Sequence, residues 1–232
     1  MRSVALAAAG LLFLTGCAHV RQAALPVVAS ASGSVDGTDL IGPPPRAGDS
    51  AAELAGMQGP WPAERVAQAR ADNRFDPFAA FAPVMGDGFR AEALPHLHKL
   101  FGDVTVPLGA AVGVAKDDYA RPRPFVAEPD LPTCIAPGDG LRRSGSYPSG
   151  HAAFGWAWAL LLAEIAPSRA DAVLQRGRDY GESRVICGVH YPSDVEAGRM
   201  LAAAEIARLH AKPAFRRDLD AARAELAAAM VK

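Results

Sequence analysis

The residues able to do chemistry in this 232-residue chain fall in three short clusters. The first runs from Lys116 to Arg123 and Pro124 with the spacing K-x6-R-P. The second is Pro148-Ser149-Gly150-His151. The third runs from Ser183 and Arg184 through His190 to Asp194, as S-R-x5-H-x3-D. Arg123 and Arg184 offer planar forks suited to bidentate contact with a tetrahedral oxyanion, and Lys116 adds a point charge. Ser149 and Gly150 stand where a long apolar stretch begins. A helix starting there would aim free N–H groups and the positive end of its dipole at the same spot, and Gly150 would let its backbone approach a ligand closely. Such a set suits a phosphoryl group, a compact anion whose transition state spreads charge over its equatorial oxygens. No cluster of carboxylates and histidines has metal-ligand spacing. His96 and His98, two apart, would point in different directions on a helix. No metal and no cofactor is expected.

Taken in order, the three motifs resemble the signatures of the type 2 phosphatidic acid phosphatase superfamily, which includes the vanadium haloperoxidases. Within it, GSYPSGHA and GESRVICGVHYPSDV are similar to the class A bacterial nonspecific acid phosphatases, over roughly residues 60–225. The resemblance implies an all-α helical bundle and hydrolysis of phosphate monoesters through a phosphohistidine, without metal. It makes His190 the nucleophile, Asp194 the group that accepts the other imidazole N–H, and His151 the acid that protonates the leaving oxygen. Lys116, Arg123, Ser149, Gly150 and Arg184 become the phosphate-binding set. Nucleotides, sugar phosphates and aryl phosphates are the implied substrates, with vanadate as inhibitor, phosphotransfer to an alcohol as a side reaction and a homo-oligomer as an expectation. One departure is Ala152, where that class usually carries Thr; it removes no reacting group. Two other readings compete: a vanadium-dependent haloperoxidase, which shares the oxyanion site, and a non-catalytic anion-binding lipoprotein.

These residues need elements to position them. Residues 119–147 hold five prolines and three glycines and read as a loop. His151 to Ile165 is apolar nearly all round, as a buried central helix is. Phe89 to Phe101 carries apolar residues at helical spacing despite Pro95, and Val104 to Ala115 is apolar and small. Ser168 with Asp171, and Ser193 with Glu196, read as capping boxes opening two further helices. Phe215, Leu219, Ala222, Leu226 and Met230 mark a last one. No alternating run makes a convincing strand. Arg121 has no place in a motif and reads as surface, as do Asp117 and Asp118. Trp61, Trp156 and Trp158 read as packing residues, and Tyr147 and Tyr191 as candidates for the substrate mouth.

The N-terminus reads as an export signal. Arg2 precedes the apolar run Val4 to Leu14, which is too short to span a bilayer. Leu14-Thr15-Gly16-Cys17 then resembles a lipoprotein signal in which cleavage precedes a lipidated Cys17, and Ala18 favours the outer membrane. The expected organisation is a signal over 1–16, a lipidated tether over 17–48 rich in Ala, Ser, Gly and Pro, and one helical domain over 49–232. The periplasm is an oxidising compartment, so Cys134 and Cys187 are expected to pair, the alternative being two separate buried thiols. With 24 Lys and Arg against 25 Asp and Glu, the chain has no bulk basic field to hold nucleic acid. Half of its residues are hydrophobic, which rules out wholesale disorder.

Overall fold

The computed structural model describes residues 37–57 and 59–230. The signal, Cys17 and most of the expected tether lie outside these residues. The described chain is all-α: α1 (Gly37–Ile41), α2 (Ala47–Met57), α3 (Ala63–Ala71), α4 (Pro77–Met85), α5 (Pro95–Tyr119), α6 (Pro124–Ala127), α7 (Asp139–Arg143), α8 (Gly150–Ile165), α9 (Ala170–Ile186), α10 (Pro192–His210) and α11 (Pro213–Met230). No strand occurs among the described residues. None of their helices is long and apolar enough to cross a membrane. Part of the stretch expected as tether, Gly37–Ile41, forms α1 and packs on α5 and α10.

α8 is the centre. Ala153, Ala157, Trp158, Leu161 and Leu162 on it are buried, matching its lack of a polar face. α9 and α10 lie against it closely because small residues line both contacts. A Cβ at Gly198 of α10 would stand 2.5 Å from the Ser149 carbonyl and 3.1 Å from the Ala153 nitrogen. A Cβ at Gly177 of α9 would overlap the Ala159 side chain. Ala152, fully buried, faces Gly181 of α9 and Gly198 of α10. α5 and α11 close the core, the apolar stripe of α11 facing inward through Phe215, Leu219, Ala222 and Leu226.

The helix starts differ from the sequence reading in three places. α5 begins at Pro95, and Ala91–Ala93 before it is a separate 3₁₀ turn. Proline lacks the N–H that a first helical turn leaves unpaired anyway, so it opens the helix instead of lying within it. The next two amides, His96 and Leu97, donate at 3.0 Å each to the Glu225 carboxylate of α11. Ser168 does not cap: it belongs to a 3₁₀ turn (Pro167–Arg169), and α9 starts after it without a side-chain cap. Ser193 and Glu196 form no capping box either. Pro192 opens α10, and Asp194, in its first turn, takes the Tyr191 N–H at 2.9 Å.

The proline-rich stretch between α5 and α8 is mostly irregular, with α6 and α7 as single turns. Cys134 and Cys187 form a disulfide, Cα–Cα 4.5 Å, that fastens this stretch to the turn after α9. Gly188 in that turn has φ +69° and lies against the Pro132 carbonyl, where a side chain would be both strained and obstructed.

Candidate active site

The short α9–α10 connection brings Arg184, His190 and Asp194 together. Arg184 is in the last turn of α9, His190 in the connection, and Asp194 in the first turn of α10. The Ser149 N–H donates to the Asp194 carbonyl at 2.8 Å, which joins the start of α8 to the start of α10. Lys116 ends α5, and Arg123 follows on extended backbone, φ −73° and ψ 155°. The 144–146 segment runs hard against the end of α5; a Cβ at Gly145 would sit 2.6 Å from the Lys116 carbonyl.

His190 is buried and held on both ring nitrogens. Arg123 Nη1 stands 2.9 Å from its Nε2, and Asp194 Oδ2 stands 3.2 Å from its Nδ1. A guanidinium can only donate, so Nε2 accepts and Nδ1 carries the proton towards Asp194. Nε2 is therefore the nitrogen with a lone pair facing the cations, and an incoming phosphoryl group has to displace Arg123 from it. Burial, with Arg123, Lys116, Arg184 and His151 close by, holds the imidazole well below its usual pKa. Asp194 Oδ2 also accepts from Ser146 Oγ at 2.5 Å.

The cations converge as expected, but they are not equally open. Lys116 Nζ donates to the carbonyls of Gly145 (2.5 Å) and Ser146 (3.2 Å). Burial, then the neighbouring Arg123, pushes its pKa down to about 7. Arg123 donates to the Val189 carbonyl and to Ser144 Oγ, each at 2.9 Å. Arg184 is the open one. Its buried Nε and Nη1 have no hydrogen-bond partner, and Nη2 alone reaches Asn73 Oδ1 at 3.2 Å. Burying unpaired guanidinium N–H groups is costly, and an anion in the site removes that cost.

His151, half-buried on the first turn of α8, stacks on Tyr180 at 5.8 Å and meets the half-exposed Phe75 ring edge-on at 6.0 Å. Its Nε2 donates to the Asn73 carbonyl at 3.3 Å. Burial, then Arg184, lowers its pKa to about 3, so with the site empty it is neutral. A doubly charged phosphate ester beside Arg184, Arg123 and Lys116 would offset those cations and raise it.

At the start of α8 the Ser149 N–H is engaged with Asp194, leaving the Ser149 O–H and the Gly150 and His151 amides for a ligand. Ser149 Oγ caps the helix by accepting from Ala152 N at 3.3 Å. A Cβ at Gly150 would meet only ordinary contacts with Phe154 and Val112, so nothing within the protein demands glycine there.

Sequence reasoning missed several residues. Arg121, read as surface, is buried and ion-paired to Asp194 and Glu53. Its signal was its parity with Arg123, because residues two apart on extended backbone face the same way. Asn73 touches both His151 and Arg184, and no motif marked it. Asp72, beside it, is buried and paired with Arg176 and Ser183. Tyr147 and Tyr191 do not line a mouth. The Tyr147 hydroxyl reaches the Ile41 and Gly42 carbonyls at 3.2 Å each, and Tyr191 lies under the Arg121 guanidinium. Trp158 is core, whereas Trp61 is exposed.

Residues 104–217 match the profile of the PAP2 superfamily. An acid phosphatase of Zymomonas mobilis is 44% identical over 147 residues, 63% of this chain and 55% of that protein. Non-specific acid phosphatases of Providencia stuartii (43% over 150 residues, 64% of this chain and 60% of that one) and Salmonella typhimurium (43% over 148 residues, 63% and 59%) are similar. The chain thus aligns with somewhat more than half the length of each relative.

Proposed function

We propose, from the match of residues 104–217 to the PAP2 superfamily, that this chain is a phosphatase hydrolysing phosphate monoesters, with the phosphoryl group passing transiently to His190. The observation that carries the reading is the buried Arg184 with two unpartnered donor atoms, beside an imidazole whose Nε2 lone pair faces the same cations. Arg184, Lys116, Arg123 and the start of α8 would hold the phosphoryl oxygens and stabilise the charge of the transition state. His190 Nε2 would form the bond to phosphorus as the ester oxygen leaves. Asp194 would hold the Nδ1 proton and fix the ring. His151, protonated once the dianion is bound, would give its proton to the leaving alkoxide, then take one from the water that cleaves the phosphohistidine. An alcohol in place of that water gives phosphotransfer. All the anion-binding charge in this scheme comes from protein cations, so metal independence is part of the proposal.

Acidic working conditions, broad tolerance of the organic group, inhibition by vanadate, and a periplasmic location with lipid anchoring at Cys17 to the outer membrane complete the proposal. The named relatives are acid phosphatases and non-specific acid phosphatases, which supports the first two. The test compares wild type with His190→Ala and His151→Ala on aryl and alkyl phosphates, with and without EDTA. His190→Ala should lose essentially all turnover and, unlike the wild type, trap no phosphoprotein on alkaline quench, and EDTA should change nothing. His151→Ala should lose far more rate with alkyl than with nitrophenyl esters, because a good leaving group needs no proton. Full turnover by His190→Ala would overturn the reading.

A further inference from the structure

Both terminal nitrogens of Arg121 are committed within the protein. Its Nη1 donates to Asp194 Oδ1 at 2.6 Å and Ser193 Oγ at 2.7 Å. Its Nη2 donates to Glu53 Oε2 and Ser50 Oγ, both at 2.7 Å. The guanidinium carbon lies 3.8 Å from the centre of the Tyr191 ring. Neither terminal nitrogen has an N–H to spare. Glu53, on α2, also accepts from the Ser193 N–H at 2.8 Å and the Ser193 hydroxyl at 2.9 Å. A chain of charges therefore runs from α2 through Arg121 to the first turn of α10, and ends on the carboxylate that faces His190.

We propose that Arg121, held between Glu53 and Asp194, is a positioning residue of phosphoryl transfer: it fixes the Asp194 carboxylate and divides its charge, so that His190 keeps its orientation and stays neutral at Nε2. The inference rests on the phosphatase reading. Asp194 splits its oxygens, Oδ2 serving His190, Ser146 and the Tyr191 amide, and Oδ1 serving Arg121. Without Arg121, Oδ1 loses its partner and more of the carboxylate's charge falls on the imidazole, which then holds a second proton to higher pH. Removing the Glu53 charge acts in the opposite sense, because Arg121 is then less neutralised. The other groups facing His190 are Arg123, Lys116, Arg184 and His151, and those facing Arg121 are Glu53, Asp194 and the Tyr191 phenol. Apart from the substituted residue, neither change alters any of them.

The experiment uses the full chain as wild type, Arg121→Met, Arg121→Lys and Glu53→Gln. It measures kcat and KM for p-nitrophenyl phosphate against pH, and the NMR titration of the His190 imidazole. Arg121→Met should lower kcat about 10–100-fold, as loss of an outer partner does for metal-bound histidines, with KM changed less than about threefold. The acidic limb of kcat/KM and the imidazole titration should both move to higher pH. Arg121→Lys should recover part of the rate, and Glu53→Gln should move the limb to lower pH. A purely structural role does not give opposite shifts. An unmoved limb and titration in Arg121→Met, or shifts of the same sign in both variants, would overturn the proposal. If Arg121→Met does not fold, Glu53→Gln decides: a shift to lower pH supports the clamp and no shift overturns it. A wild type with no turnover counts against the phosphatase reading, while the imidazole titration still decides the clamp.

Discussion

At the scale of single residues, the site is set by which charges are already committed. Lys116 is the sharpest case. Its ammonium is pushed down to about 7 by burial and then by Arg123, so in the empty site it gives up its proton as pH rises through neutrality. A bound dianion draws the proton back, so anion binding takes up a proton above that pH and weakens as pH rises. Sulfate is the suitable probe, since its own charge does not change there. Its affinity, measured by calorimetry, should fall above pH 7 by up to about tenfold per unit. Lys116→Met should bind sulfate more weakly and lose this dependence; a wild type flat from pH 6 to 9 would contradict the assignment. The motif residues were legible in sequence because their order and spacing resemble a known superfamily's signatures, and because cations and a helix start suit a phosphate. Arg121 and Asn73 were not, because an arginine beside prolines and an asparagine after a helix have many ordinary uses. Asn73 earns its place by meeting His151 and Arg184, the latter 111 residues further on.

Helices decide how exactly those charges line up. The start of α8, the start of α10 and the end of α9 meet because small residues let the helices approach. Gly198→Ala places a methyl 2.5 Å from the Ser149 carbonyl, and α10 has to move away from α8. The movement loosens the Ser149 N–H to Asp194 bond, so the variant should lose about 1–3 kcal/mol of stability. It should also lose kcat with a smaller change in KM. Denaturant melts beside steady-state kinetics check both; an unchanged kcat would show that the seam is not coupled to Asp194. The existence of these helices was plain from their apolar patterns, α8 unbroken and α11 in a stripe. Their starting points were not. Pro95 and Pro192 open helices, whereas Ser168 and Ser193 only looked like caps; at α5 and α10 the carboxylates of Glu225 and Glu53 take first-turn amides that a local cap would otherwise hold.

For the whole molecule, the helical body is one unit and the export reading concerns the chain ahead of it. If Cys17 carries lipid, Cys17→Ser should abolish palmitate labelling and move the protein from the membrane to the soluble fraction without changing turnover. Labelling that survives the substitution would sink that reading. The disulfide between Cys134 and Cys187 is consistent with an oxidising destination. The site itself is spread widely along the chain. Asn73 follows α3, Lys116 ends α5, His151 begins α8 and Asp194 begins α10. Residues 150–194 hold both imidazoles and the guanidinium that awaits its anion, but Asn73, Lys116 and Arg123 come from earlier in the chain. A cut between α5 and α8 therefore separates two of the cradle's cations from the histidines, and moving the α8–α10 peptide into another scaffold would leave them behind.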